Sequence, residues 1–183
     1  DAIKGAPTLK EVSIEDLLPR DEICVDLESV AESLRGKRIL ITGSAGSIGS
    51  EIVRQVASFA PSKMMLIDSA ETPQHDIRRM MAHDFPSVPC ATVVTSITKA
   101  DRMENIFKTF LPEYVFHAAA YKHVPMMEDN PCESIQNNVL GTKILADLSV
   151  KYGVRRFVMV STDKAVNPTN VMGCSKRICE VYV

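Results

Sequence analysis

The chain has 183 residues, with 21 basic and 23 acidic side chains and a net charge of −2 at pH 7. So small a charge gives no general electrostatic footing on nucleic acid or on an anionic membrane. No apolar run approaches the ~20 residues that cross a bilayer, and no secretion signal opens the sequence. With 45% hydrophobic and 24% charged residues, the composition is that of a globular protein with one ordinary core. The five cysteines (Cys24, Cys90, Cys132, Cys174, Cys179) are odd in number and lack a Cys-x-x-Cys pair. That argues against a disulfide framework and against a metal site, and for the reducing cytoplasm.

Residues 1–36 hold four basic and nine acidic side chains, a net of −5, which leaves +3 for the remainder. Ser13-Ile14-Glu15-Asp16 has the pattern of a cap running into Leu17-Leu18, and Asp26 caps a second helix ending by Gly36. This stretch reads as a lead-in arm. From Lys37 onward short apolar strands alternate with helices. Strands are expected at 38–42, 63–68, 91–95, 114–117 and 156–161. Helices are expected at 47–59, 72–83, 99–110 and 131–152, with a last one from 171. Pro61, Pro112 and Gly153 punctuate the helix ends. Alternation without hairpin signals predicts an α/β domain over 37–183, with a parallel sheet covered by helices on both faces.

Gly43, Gly46 and Gly49 sit where the first strand passes into a helix. In that context the glycines let the backbone turn tightly and a pyrophosphate approach it, with the helix N-terminus supplying N–H groups. This is the Rossmann-type, doubly wound signature. Ser44, Ser47 and Ile48 belong to the same turn. Asp68 ends the second strand 19 residues after Gly49, close to the ~20 expected of an acid that binds ribose hydroxyls. No basic residue follows to receive a 2′-phosphate, so NAD is favoured over NADP. Asp68 as a plain helix cap is the bland alternative. After the third strand stand Ser96 and Ile97, with Ser96 able to bond an adenine amino group. Ala118, Ala119 and Ala120 follow the fourth strand, either to let the backbone lie against the cofactor or to pack a helix tightly. His117 and His123 are assigned no chemistry.

Ser161-Thr162-Asp163-Lys164 leaves the end of the fifth strand, where open α/β sheets place their ligands. Eight residues after Lys164 comes Met172, and then Lys176, at the spacing of a Tyr-x-x-x-Lys pair with methionine in the tyrosine position. The i, i+4 spacing puts Lys176 on the face of Met172. The alternative is a solvated helix lysine.

The run from Ser161 to Lys176, together with 42–49, His117-Ala118-Ala119-Ala120-Tyr121-Lys122-His123-Val124-Pro125 and Asn137-Asn138-Val139-Leu140-Gly141-Thr142, closely resembles the extended short-chain dehydrogenase/reductases. The branch is that of the UDP-N-acetylglucosamine 4,6-dehydratases of bacterial polysaccharide and glycan biosynthesis, and the likeness runs from about residue 36 to the end. It implies that Lys176 binds the nicotinamide ribose and that Asn138 fixes backbone or water, a packing role for Asn138 being nearly as well supported. It places Tyr121, Lys122 and Asn167 beside the UDP-sugar substrate. It also implies further strands and a substrate lobe beyond Val183, a homo-oligomer at full length, and little turnover by these 183 residues alone. The larger members of the branch carry transmembrane helices upstream, which would place the whole protein at the cytoplasmic face of the inner membrane.

In that reaction carbon 4 of the sugar is oxidised by NAD, which acidifies the carbon-5 proton and allows the carbon-6 hydroxyl to leave. The resemblance assigns Asp163 and Lys164 as acid and base. Burial beneath the nicotinamide would raise the Asp163 pKa and lower that of Lys164, while their direct pairing would oppose both shifts. A thioether cannot deprotonate the carbon-4 hydroxyl, so Thr162 is expected to bond it and relay its proton. Two other readings compete: a UDP-sugar 4-epimerase, which has no use for Asp163-Lys164, and a non-catalytic NAD-binding module.

Overall fold

The computed structural model describes residues 26–183, so the helix expected after Ser13 lies outside the described residues. Five strands, β1 (Arg38–Thr42), β2 (Lys63–Asp68), β3 (Cys90–Val94), β4 (Tyr114–His117) and β5 (Arg156–Met159), form one sheet. All pairs are parallel and the order is β3-β2-β1-β4-β5. The chain runs outward one way from β1 to β3, then restarts on the other side with β4. The reversal leaves a crevice above the C-terminal ends of β1 and β4, the place where such sheets bind ligands.

β1 lies at the centre and is buried on both faces. Ile39, Leu40 and Ile41 are all fully buried, yet they serve different layers because successive side chains alternate across a strand. Ile39 and Ile41 join Met64, Leu66, Val53 and Ile77 beneath α1 (Leu27–Leu34), α2 (Ser47–Ser58) and α3 (Glu71–Asp84). Leu40 joins Ile67, Phe107, Val115 and Leu145 on the opposite face. That layer is covered by α4 (Ala100–Phe110) and by α7 (Gly141–Lys151). Each such side chain contributes about 1.5–3 kcal/mol when fully buried, which fixes the strand register that aims the site.

Asp26 caps α1 by accepting the Ser29 N–H at 3.1 Å, as the sequence suggested. Two features were not anticipated. A short helix α5 (Val124–Asp129) follows the alanine triplet, and the helix expected over 131–152 is interrupted. It begins as α6 (Pro131–Ser134), widens into a π-helical turn at Ile135–Leu140, and resumes as α7. After β5 a 3₁₀ turn at Asp163–Ala165 leads to α8 (Val171–Tyr182). Among the described residues no helix is long and apolar enough to cross a membrane.

Candidate cofactor cleft and catalytic turn

Gly43 turns the chain at the end of β1 with φ of 71°, a left-handed conformation that favours glycine. A methyl group on it would lie 2.5 Å from the Ala119 nitrogen, so the glycine also lets the ends of β1 and β4 approach. A methyl on Gly49 would fall 1.8 Å from the Gly43 carbonyl oxygen, which is how closely α2 is set on the turn. At Gly46 the nearest atom would be 3.4 Å away, an ordinary contact. That middle position is open to the cleft, and the N–H groups of the first turn of α2 lack intrahelical partners there.

The cleft has a volume of ≈ 250 Å³ and is lined by Gly43, Gly46, Asp68, Ser96, Ile97, Ala118, Ala119, Ala120 and Tyr121, among others. Asp68 sits at the end of β2 and spans the mouth. Its Oδ2 accepts the Ala45 N–H at 3.0 Å and its Oδ1 the Ala70 N–H at 2.9 Å. It therefore ties the glycine turn to the start of α3 rather than serving α3 as a simple cap, and each oxygen keeps a second lone pair for a ligand hydroxyl. The Ser96 hydroxyl is shared with Thr98 at 2.8 Å. Ile97 is buried against Gly141, where any Cβ would be 2.4 Å from its Cδ1. Ser47 and Ile48 stand exposed on the first turn of α2, and Lys122 Nζ reaches the Ser47 hydroxyl at 3.4 Å.

Ser44 differs from what the sequence suggested. It is fully buried, its hydroxyl donates to Gln74 Oε1 at 2.8 Å, and its N–H is turned to the Ile67 carbonyl at 3.3 Å. Both donors are spent inside the fold, so Ser44 shapes the turn without facing the cleft. Gln74 completes the clamp by donating to the Leu66 carbonyl at 2.8 Å. Sequence reasoning missed it, although a glutamine three residues before Ile77 and seven before Met81, both buried, stands on the apolar stripe of α3.

Asn138 lies in the π-helical turn and holds both polar groups of the Tyr121 backbone. Its Oδ1 accepts the Tyr121 N–H at 2.8 Å, and its Nδ2 donates to the Tyr121 carbonyl at 3.0 Å and to Ser175 Oγ at 3.0 Å. π turns often occur at functional sites. Here the wide turn carries the side chain that pins the loop leading from the alanine triplet, so of the two uses foreseen for Asn138 the backbone one is realised.

The second half of the site gathers at the end of β5. Thr162 caps the 3₁₀ turn by accepting the Lys164 N–H at 3.3 Å, while its hydroxyl donates to Asp163 Oδ1 at 3.0 Å. Lys164 Nζ lies 3.6 Å from the same oxygen. The Asp163 side chain is 90% exposed, and the Thr162 hydroxyl, with the Lys164 charge, holds its carboxyl below the usual aspartate range. The expected upward shift is not found, because the described residues leave the turn uncovered and stabilising bonds outweigh desolvation. Asn167, with φ of 48°, is also exposed.

Met172 and Lys176 point inward from the same face of α8, so the solvated-lysine reading is set aside. Lys176 Nζ donates to the Val160 carbonyl at 2.7 Å, and burial pushes its pKa down against the opposing influence of Cys179 and Glu180. Gly173 lets the first turn of α8 lie on the 3₁₀ turn, since a methyl there would be 2.3 Å from the Lys164 carbonyl oxygen. The structure thus brings the glycine turn, Asp68, Ser96 and the alanine triplet into one cleft. It sets Thr162, Asp163, Lys164 and Asn167 apart from that cleft, on its β5 side.

This fold and these motifs define an extended short-chain dehydrogenase/reductase. The sequence profile of the family described as Polysaccharide biosynthesis protein matches residues 39–183, and the chain belongs to that family. It is 44% identical over 176 residues to the capsular polysaccharide biosynthesis protein CapD of Staphylococcus aureus, covering 96% of this chain and 29% of that protein. It is 33% identical over 142 residues to an inverting UDP-N-acetylglucosamine 4,6-dehydratase of Campylobacter jejuni, covering 77% of this chain and 41% of that enzyme. Among solved structures, a UDP-glucose 4-epimerase from Thermotoga maritima with UDP-glucose superposes with a TM-score of 0.70 at 27% identity, over 79% of this chain and 49% of that one. The Bordetella bronchiseptica enzyme WbmG, in complex with NAD, superposes with a TM-score of 0.67 at 28% identity, over 80% of this chain and 48% of that one. The chain therefore spans between about a third and a half of the length of the proteins it matches.

Proposed function

We propose that the protein is a nucleotide-sugar 4,6-dehydratase that holds NAD in the cleft above β1 and β4 and converts a UDP-N-acetylhexosamine to its 4-keto-6-deoxy derivative. The observation that carries the reading is the display of Thr162, Asp163 and Lys164 on one turn at the end of β5, pinned under α8 by Gly173. Likeness to the Campylobacter dehydratase supports the same reaction.

The cleft fits a dinucleotide. Gly46 leaves room for a pyrophosphate at the N-terminus of α2, Asp68 retains acceptors for ribose hydroxyls, and among the described residues the lining of the cleft holds no lysine or arginine for a 2′-phosphate. When bound, NAD would supply the reversible hydride exchange that lets carbon 4 be oxidised and carbon 6 reduced. The remaining chemistry belongs to the chain. Thr162 bonds the carbon-4 hydroxyl and relays its proton to Asp163 as carbon 4 is oxidised. With carbon 4 as a ketone, Lys164 removes the carbon-5 proton, Asp163 passes its proton to the departing carbon-6 hydroxyl, and Lys164 returns a proton to carbon 5 as carbon 6 is reduced. Such proton transfers contribute about 10²–10⁴ in rate when the pKa values are matched. Covering the turn in the whole protein would reverse the lowering of the Asp163 pKa, because desolvation favours the neutral acid. Lys176, buried beside the end of β5, orients the nicotinamide ribose. Lys122, at the mouth beside Ser47, with Tyr121, meets the diphosphate side of the substrate. We place this unit in the cytoplasm, within a homo-oligomer that a membrane anchor elsewhere in the protein holds at the inner membrane.

A 4-epimerase is the second reading, favoured by the likeness to the Thermotoga enzyme. Epimerisation leaves Asp163 and Lys164 without a task. The test is incubation of the full-length protein with UDP-N-acetylglucosamine and NAD in heavy water, followed by mass spectrometry. Loss of one water with uptake of deuterium supports the dehydratase. A new isomer of unchanged mass supports the epimerase, and an untouched sugar excludes both for UDP-N-acetylglucosamine and points to another UDP-sugar or to a non-catalytic NAD-binding module.

A further inference from the structure

One bond joins α5 to the beginning of α8 across 43 residues of sequence: the Val171 N–H donates to Glu128 Oε1 at 2.6 Å. Val171 opens α8, so its N–H is one of the groups that a helix cannot satisfy from within. Asn170 caps the same helix locally, its side chain accepting the Gly173 N–H at 2.7 Å. Glu128 is therefore a second cap delivered from a distance. A carboxylate in that place gains both from a charge-assisted bond and from the positive end of the helix dipole.

What the bond joins is more telling than its strength. α5 directly follows Tyr121, Lys122 and His123, the segment that leaves the cofactor cleft. The first turn of α8 carries Met172 and, through Gly173, presses on the carbonyl of Lys164. Glu128 thus links the helix after the loop at the cleft to the helix that rests on the turn displaying Thr162, Asp163 and Lys164. It is exposed at the surface, and α8 keeps its Asn170 cap without it. Its removal should loosen the placement of α8 while leaving the fold intact.

We propose that Glu128 is a positioning residue for the sugar-modifying reaction, acting through the N-terminus of α8 and touching neither cofactor nor substrate. The reaction it serves rests on the reading given above; its hold on α8 does not.

The test compares Glu128→Ala and Glu128→Gln in the full-length protein, reading turnover, NAD affinity, melting temperature and amide hydrogen exchange over residues 162–176. A small displacement of reacting groups costs up to about 100-fold, so Glu128→Ala should lower kcat by about 10- to 100-fold. NAD affinity and melting temperature should stay near wild type while the amides at the start of α8 exchange faster. Glu128→Gln keeps an acceptor oxygen and should restore both turnover and protection. The proposal is overturned if Glu128→Ala leaves turnover and exchange unchanged. It is overturned equally if glutamine fails to rescue, or if turnover, NAD affinity and melting temperature fall together. Should the wild-type protein leave the nucleotide sugar untouched, the dehydratase reading fails, and the exchange data still decide whether Glu128 holds α8.

Discussion

His117 Nε2 lies 2.9 Å from Thr142 Oγ1, joining the end of β4 to α7. Its Nδ1 lies 2.7 Å from Thr42 Oγ1 on the other side, so the imidazole bridges two hydroxyls in a fully enclosed site. Burial, with the Lys176 charge nearby, holds its pKa down at about 3. The native protein therefore keeps His117 neutral while the unfolded chain protonates it below about pH 6.5. Stability is full above that pH and is lost as the pH falls from there toward 3. Urea unfolding should show about 2 kcal/mol less stability at pH 5 than at neutral pH from this group, an increment that His117→Asn should remove. Equal pH slopes in the two proteins would refute the assignment.

Gly49→Ala and Gly46→Ala should behave oppositely. The first drives a methyl into the Gly43 carbonyl and should cost about 1–3 kcal/mol or more by overpacking, with NAD binding lost as the turn opens. The second meets only an ordinary contact and should fold normally, yet bind NAD less tightly because its methyl narrows the pyrophosphate position. Thermal melts and NAD titration distinguish them; a stable Gly49→Ala protein with normal NAD affinity would contradict the packing described here.

Asp163→Asn should separate chemistry from binding. The Asp163 side chain is exposed and bonded to its neighbours Thr162 and Lys164, so the substitution should leave stability and NAD affinity unchanged. Water loss from the sugar should fall by about 10²–10⁴-fold if this carboxyl is the general acid. Full dehydration by the variant would remove Asp163 from the mechanism.

Asn138→Ala strips partners from the Tyr121 N–H, the Tyr121 carbonyl and Ser175 Oγ together. Ser175 Oγ keeps its bonds to Met172 and Ser134 and the Tyr121 groups are only part-buried, so the loss should be about 1–3 kcal/mol in denaturant unfolding. A loss below about 0.5 kcal/mol would mean that water replaces the side chain freely.

The central strands were legible because strands buried on both faces write themselves as short continuous apolar runs. β1, β2 and β4 begin and end where those runs do, and β3 is shifted by one residue. β5 ends at Met159, two residues short of the expected end at Ser161. The Val160 N–H still reaches the His117 carbonyl at 2.9 Å, but its own carbonyl is taken by Lys176. That competition comes from a helix further along the chain, which no local pattern reports. α5 went unread because its six residues are too few for a periodic stripe, although Pro125 in its first turn is a fair helix-start signal. Within the site, glycine spacing gave the turn, while the inward rotation of Ser44 depends on Gln74, thirty residues away. The exposure of Asp163 depends on what covers the turn and was beyond any reading of its neighbours.

The wide turn at Ile135–Leu140 has a consequence for sequence length. A π turn accommodates one residue more than the α-helix around it, and each residue advances an α-helix by about 100°. Deleting a single residue there would not shorten a loop. It would straighten α6 into α7 as plain α-helix, keep the flanking helix in phase, and displace the side chains of the turn itself, Asn138 among them, from the Tyr121 backbone. The residue count in this stretch therefore sets the reach of Asn138 to the Tyr121 backbone, and a deletion of one would act on that contact while leaving the flanking helix in register.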